Sequence, residues 1–414
     1  MPLRGKAFVF GLAGVLLLAG CGANRAAMNG NPENPYPPKG GPKAGEIYHL
    51  PTGLAISEDG LMDMLSGARM VSVGETHDNL NDQRVELTVV RELHRRFPGK
   101  VAVGMEMFRE PQQEVLDRWV RGELTELEFL KASKWYETWG FDFGAYRDLL
   151  LFAKENRIDL IALNPSKDLQ EAVRRTGLDN VPEDLRRMLP EIGETDPWQR
   201  AVLRGVFVGH AGHGDGDASF DSFLRVQLLW EETMAQKVVD YLTSPRGEGK
   251  RMVTITGGWH VKYGFGLPKK VVRRLPMDYA ILLSEEISTP EQQEGRLMRV
   301  DLPEIPLLPA HFLWYVPFNS IDETRVRMGV RMEEKEGRLL VESVAPGSPA
   351  TIAGIAKGDE LLALDGQLVR EPVDVLFRVG QKREGDTARV TVQRDGEEKI
   401  LDLTFFRMPK PKGH

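Results

Sequence analysis

The stretch Arg69-Met70-Val71-Ser72-Val73-Gly74-Glu75-Thr76-His77-Asp78-Asn79 decides the fold. A short β-branched run stops in a polar turn that carries an acid and a histidine. Behind the turn, residues 82–96 place apolar side chains at helical spacing. A run apolar at consecutive positions is a strand buried on both faces, and a strand feeding a helix is one unit of a strand–helix repeat. The same texture recurs outward. Residues 100–105, 157–163, 251–256 and 279–283 read as buried strands, and 112–120, 144–156 and 219–242 as amphipathic helices. Residues 309–316 read as a last strand. The alternation predicts an α/β unit over residues 46–318, with a mainly parallel sheet flanked by helices.

In such a sheet the carboxyl ends of the strands share one edge, where ligands bind. Four polar segments fall there: 74–79, Met105-Glu106-Met107-Phe108-Arg109, Asn164-Pro165, and Gly257-Gly258-Trp259-His260-Val261-Lys262-Tyr263-Gly264. Glu75, His77, Glu106 and His260 are therefore expected to converge. Two carboxylates and two imidazoles suit a divalent metal. They also suit acid–base catalysis, with each carboxylate orienting an imidazole. The third role open to them is capping helices. In 219–242 the stripe Phe220, Leu224, Met234, Val238 and Tyr241 also contains Gln227 and Glu231. A carboxylate on a buried face needs a partner, so Glu231 or Gln227 is expected near the cleft. His210 and His213 flank Ala211-Gly212 before a run of Gly and Asp, which reads as a loop end with two candidate ligands.

The chain has 414 residues, 41% hydrophobic and 28% charged, which is ordinary for a globular protein. A net charge of −7 argues against a nucleic-acid surface. Arg4 and Lys6 precede an apolar run to Leu18 that is too short to span a bilayer. Leu18-Ala19-Gly20-Cys21 follows, with the only cysteine of the chain. The pattern reads as a signal peptide over residues 1–21. It resembles a lipobox, which implies a diacylglycerol (palmitate-type) anchor on Cys21 and attachment to a membrane of the cell envelope. Residues 22–45, rich in Gly, Asn and Pro, form an expected disordered leash.

From 321 to 408 the texture changes to short strands and frequent turns: Glu336-Gly337, Asp365-Gly366, Gly385-Asp386 and Asp395-Gly396. Val344-Ala345-Pro346-Gly347-Ser348-Pro349-Ala350, Ala353-Gly354-Ile355 and Lys357-Gly358-Asp359-Glu360-Leu361-Leu362 strongly resemble a PDZ domain of the bacterial protease-associated type. The resemblance implies a small, mostly-β domain that binds a peptide or the C-terminus of an envelope protein. Arg327-Met328-Gly329-Val330 would be its carboxylate loop, with Arg and Met where the familiar motif has Gly and Leu.

Gly74-Glu75-Thr76-His77-Asp78-Asn79, Glu106-Met107-Phe108, Gly258-Trp259-His260-Val261, the segment 227–235 and Phe312-Leu313-Trp314 resemble the ChaN family of haem-binding lipoproteins. That resemblance implies haem as the cofactor, a role in haem or iron uptake, and a homodimer holding haem between protomers. It also implies a tyrosine on the iron with a histidine nearby. Tyr263 is the candidate, and His210 or His213 are alternatives. The same Glu–His core is similar to a wider superfamily that includes erythromycin esterases and Tiki/TraB proteins, in which such residues are catalytic. Three functions follow as expectations: haem binding with PDZ-mediated recruitment, a Glu/His-dependent hydrolase, and an envelope scaffold acting through its PDZ domain.

Overall fold

The computed structural model describes residues 41–211, 217–287, 305–321 and 325–408. Cys21 and His213 lie outside these described residues.

Eight strands form the first sheet: β1 (Ile47–His49), β2 (Leu54–Ile56), β3 (Met70–Glu75), β4 (Val101–Arg109), β5 (Asp159–Asn164), β6 (Arg251–Gly257), β7 (Tyr279–Ile287) and β8 (Phe312–Pro317). Their order is β2-β1-β8-β7-β3-β6-β4-β5. From β8 to β5 every neighbouring pair is parallel. The β1 strand pairs antiparallel with β8, and β2 folds back on β1. The sheet is thus mainly parallel with an antiparallel edge. Strands of three residues are too short to display a period, so this edge left no sequence signal.

Alternate residues of the buried strands enter opposite cores, as a period of two requires. Val71, Val73, Val101, Val103, Leu160, Val253 and Ile255 join one cluster. Its helices are α1 (Glu58–Leu65), α2 (Leu80–Arg96), α3 (Gln113–Arg121), α4 (Glu126–Ser133), α5 (Trp135–Thr138) and α6 (Phe143–Glu155). Met70, Ala102, Ile161, Leu163, Met252, Ile281 and Leu283 face the other cluster. That face is covered by the later helices α7 (Lys167–Thr176), α8 (Glu183–Arg186), α9 (Pro197–Ala211), α10 (Asp217–Thr243) and α11 (Leu267–Arg274), of which α10 and α11 supply its core residues. Among the described residues no helix is long and apolar enough to cross a membrane.

The C-terminal sheet contains β9 (Val330–Lys335), β10 (Arg338–Val344), β11 (Glu360–Leu364), β12 (Gln367–Leu368), β13 (Thr387–Arg394) and β14 (Glu397–Thr404). It is antiparallel, in the order β14-β13-β11-β10-β9, with β12 on β11. Helices α12 (Pro349–Ala353) and α13 (Pro372–Val379) complete it. Its tight turns are those the sequence marks: Glu336-Gly337, Asp365-Gly366 and Asp395-Gly396 all have positive φ at both residues.

Candidate functional site

The β3 strand ends on Glu75, whose alternation with Val71 and Val73 aims it toward α2 and α6. Glu75 Oε1 accepts from Tyr146 Oη at 2.7 Å and meets His77 Nδ1 at 2.8 Å, while Oε2 accepts from Gln83 Nε2. His77 packs edge-on against Trp139 and beside Phe141. Asn79 caps α2. Asp82, one turn into that helix, accepts from the Thr76 N–H and hydroxyl at 2.7 Å each and so closes the turn.

The second half of the network comes from the opposite face. Glu106 Oε2 accepts from the Gly257 N–H at 2.7 Å, and Oε1 lies 3.5 Å from His260 Nε2. His260 Nδ1 is 3.5 Å from Glu231 Oε1 on α10. Glu231 Oε2 holds Lys270 Nζ of α11 at 2.9 Å and Gln199 Nε2 of α9 at 2.6 Å. The two halves meet at Gly257. A Cβ built there would lie 3.2 Å from His77 Nε2 and 3.7 Å from Glu106 Oε2, so the missing side chain leaves the gap the two groups share. Glu75, His77, Glu106 and His260 do converge.

The electrostatics follow from burial and pairing. Burial opposes a charge on His260, but Glu106 and then Glu231 outweigh it and push the imidazole up to about 10. Burial likewise opposes ionisation of Glu106, yet the charge and hydrogen bond of His260, with His77 and the Gly257 N–H, hold it down to about 2. Glu231 is lowered against its burial by Lys270 and His260. His77 is raised against its burial, first by its hydrogen bond to Glu75. These shifts all favour an imidazolium at His260 between two carboxylates, with a second imidazole, His77, facing it across Gly257.

Among the described residues no group of three or more His, Cys, Asp or Glu side chains could hold a metal ion. The divalent-metal alternative is therefore not supported: Glu75 is engaged by Tyr146, His77 and Gln83, and Glu106 by the Gly257 N–H with His260 3.5 Å away. Of the two candidates on α10, Glu231 enters the network. Gln227, one turn earlier and half-buried, takes no part in it. His210 lies on the last turn of α9, which runs to Ala211 rather than ending in a loop before it. Lys270, Gln199, Tyr146 and Gln83 were missed. For Lys270 a signal existed: it shares the buried stripe of α11 with Leu267 and Val271.

Tyr263 does not enter the polar pocket. It follows His260 in a tight turn, has φ +60°, and is tied by its N–H to the Pro309 carbonyl at 2.8 Å. A positive φ is uncommon for an aromatic residue and persists only where surroundings impose it. Its ring lies with Trp259, Phe223 and Ile305 against buried Val202, Val206 and Phe265. Trp198 on α9 and Leu307 and Leu308 ahead of β8 are large apolar side chains left exposed. Burial and then Glu285 hold the Tyr263 phenol above its usual range. The network and this apolar face are two sites, joined by the turn that carries both His260 and Tyr263.

In the C-terminal unit, Arg327-Met328-Gly329-Val330 leads into β9, an edge strand. Gly329 has φ +82°, and a Cβ there would lie 2.2 Å from Ser348 Cβ, so only glycine fits. Met328 is buried in the domain's core, and Ala350 N–H donates to its carbonyl at 2.9 Å. Helix α13 lies beside β9.

Comparison with known proteins places both units. The family described as "Haem-binding uptake, Tiki superfamily, ChaN" matches residues 61–271, more than half of the chain, and a PDZ domain family matches 326–405. The structure titled "Cofacial heme binding to ChaN of Campylobacter jejuni" is similar in fold, with a TM-score of 0.50 at 14% identity over 65% of this chain and 95% of that one. A probable periplasmic DegP-like serine endoprotease of Rhizobium meliloti is 41% identical over 78 residues, 19% of this chain and 15% of that protein. The magnetosome formation protease MamE of Paramagnetospirillum magneticum is 35% identical over 78 residues, 19% of this chain and 11% of that protein. The chain thus spans a fifth or less of these proteases' length. With the strand-end Glu/His network and the matched residues 61–271 in place, the chain belongs to the ChaN haem-binding uptake family of the Tiki superfamily and carries a PDZ domain after it.

Proposed function

We propose that this protein binds haem on the apolar face around Tyr263 and serves haem or iron acquisition at the cell envelope. The observation that carries this reading is Tyr263 itself, an aromatic residue held at positive φ on a partly exposed apolar cluster. Such a face suits a porphyrin plane, and a phenolate is an axial ligand for ferric haem. Tyr263 would hold the iron, and Trp259, Phe223 and Ile305 would cover the ring, backed by Val202, Val206 and Phe265. A second protomer closing over the haem accounts for the exposed Trp198, Leu307 and Leu308. The lipid anchor on Cys21, on the periplasmic face of an outer membrane, would keep the domain where haem arrives. The PDZ edge strand β9 would take the C-terminal peptide of an envelope protein by strand addition. Haemin added to the soluble form should give a shifted Soret band, and Tyr263→Phe should weaken binding at least tenfold. An unchanged spectrum after loss of Tyr263, His210 and His213 together would remove this site.

One observation favours a second reading, hydrolysis in the polar pocket. Two imidazoles, each oriented by a carboxylate, face one gap at the strand ends. That arrangement can move a proton to and from a bound water. Ester hydrolysis that disappears in Glu75→Gln, with haem binding retained, would support it. No turnover by either protein would remove it.

A further inference from the structure

Haem is an apolar plate with two carboxylates on one edge, so a face that holds it needs a cation at its rim. Lys262 is the candidate. Its ammonium lies 5.1 Å from the centroid of the Trp259 ring, and Trp259 belongs to the same apolar cluster as Tyr263. The aliphatic stem of a lysine can rest on an aromatic face while its head stays available to an anion. Among the described residues Lys262 forms no ion pair; Glu285 is the carboxylate that feels its charge. The turn 257–264 divides its side chains by chemistry. His260 goes inward to Glu106 and Glu231, whereas Lys262 and Tyr263 stand side by side on the half-buried outer surface. Other cations near this pole are spoken for: Lys269 holds Asp196, Lys270 holds Glu231, and Arg273 holds Glu232.

We infer that Lys262 is the carboxylate-recognition residue of the haem face, selecting porphyrins that carry free propionates. Tyr263 then holds the metal and Lys262 the orientation of the plate. A charge-assisted hydrogen bond at a half-buried site gives both affinity and a preferred edge. This inference rests on the haem reading above and extends it to the class of porphyrin accepted.

Absorbance titrations with haemin and with haemin dimethyl ester, in the same detergent buffer, test it in the full soluble chain. The wild type should bind haemin about tenfold more tightly than the diester, the ratio expected for one charge-assisted contact. Lys262→Ala should lower haemin affinity to the level of the diester and leave the diester unchanged. Lys262→Arg should restore the preference, which separates recognition from any loss of folding. Equal affinity of the wild type for both porphyrins, or an equal loss for both in Lys262→Ala, overturns the role of Lys262 while leaving haem binding intact. Failure of both porphyrins to bind the wild type overturns the haem reading itself.

Discussion

Glu86 is fully buried on α2 beside Glu75 and Asp82, and burial followed by those charges raises its carboxyl well above the usual range. Asp82 is pushed up to about 8, chiefly by burial. Both groups bind more protons folded than unfolded, so each contributes stability at low pH that is lost as pH rises through its raised folded pKa, for Asp82 near 8. Glu86→Gln keeps the shape of the neutral acid. Urea unfolding at pH 5, 7 and 9 should find it as stable as the wild type at pH 5, and less diminished at pH 9. His260 acts in a later window: its raised folded pKa stabilises the protein below about 6.5, and this is lost as pH rises towards about 10. Glu106→Gln removes the larger support of the imidazolium. A ¹H–¹⁵N titration should then show His260 losing its proton more than one pH unit lower than in the wild type. An unmoved His260 would contradict the pairing. Asp82 and Glu86 sit inside a helix and did not stand out in the chain. Glu75, His77, Glu106 and His260 were legible there, because an acid or histidine just after a β-branched run stands out. Their partners were not. Tyr146 and Gln83 reach Glu75 from helices whose rotation about their axes no local pattern fixes.

At the scale of elements, the turn from Gly257 to Gly266 has space for very few atoms. A Cβ on Gly266 would lie 2.3 Å from the His260 carbonyl and 2.7 Å from Glu231 Oε1. Gly266→Ala should therefore cost about 1–3 kcal/mol in chemical unfolding, the usual range for overpacking. It should also disturb the His260 signal, since the atoms it would meet are the backbone carbonyl and the carboxylate partner of that residue. A cost near zero would mean the turn can relax away from α10. The buried strands were legible from their runs, and α2, α3, α6 and α10 from their period. The turn was legible only as polar, because neighbouring positions 260 and 263 serve opposite surfaces and share no period. The apolar face was hidden for the same reason: its residues come from α9, α10, the turn and the segment before β8, which are far apart in sequence.

At the scale of the molecule, the two units are not strung apart. Helix α13 of the PDZ domain rests on α4, with Val373 and Phe377 packed against the core of the first unit. Lys131 on α4 holds Asp374 at 2.8 Å and Glu371 at 3.5 Å, and Arg325 holds Asp142 at 2.6 Å. Asp374 is nearly buried and is lowered, against its burial, first by Lys131. A carboxylate in that position is costly once its cation is gone. Lys131→Glu should split one calorimetric transition into two, the PDZ unit unfolding first. A single unshifted transition would show that the contact is not part of the folded unit in solution. Nothing in the chain announced this docking. Lys131 and Asp374 are ordinary surface types, and their meeting depends on the path of the whole chain.

The most direct test of the haem assignment is the structure of the soluble protein with haemin bound. The account predicts iron on the Tyr263 oxygen, the porphyrin lying on Trp259 and Phe223. Iron held instead inside the Glu75, His77, Glu106 and His260 pocket, or away from Tyr263 altogether, would contradict it.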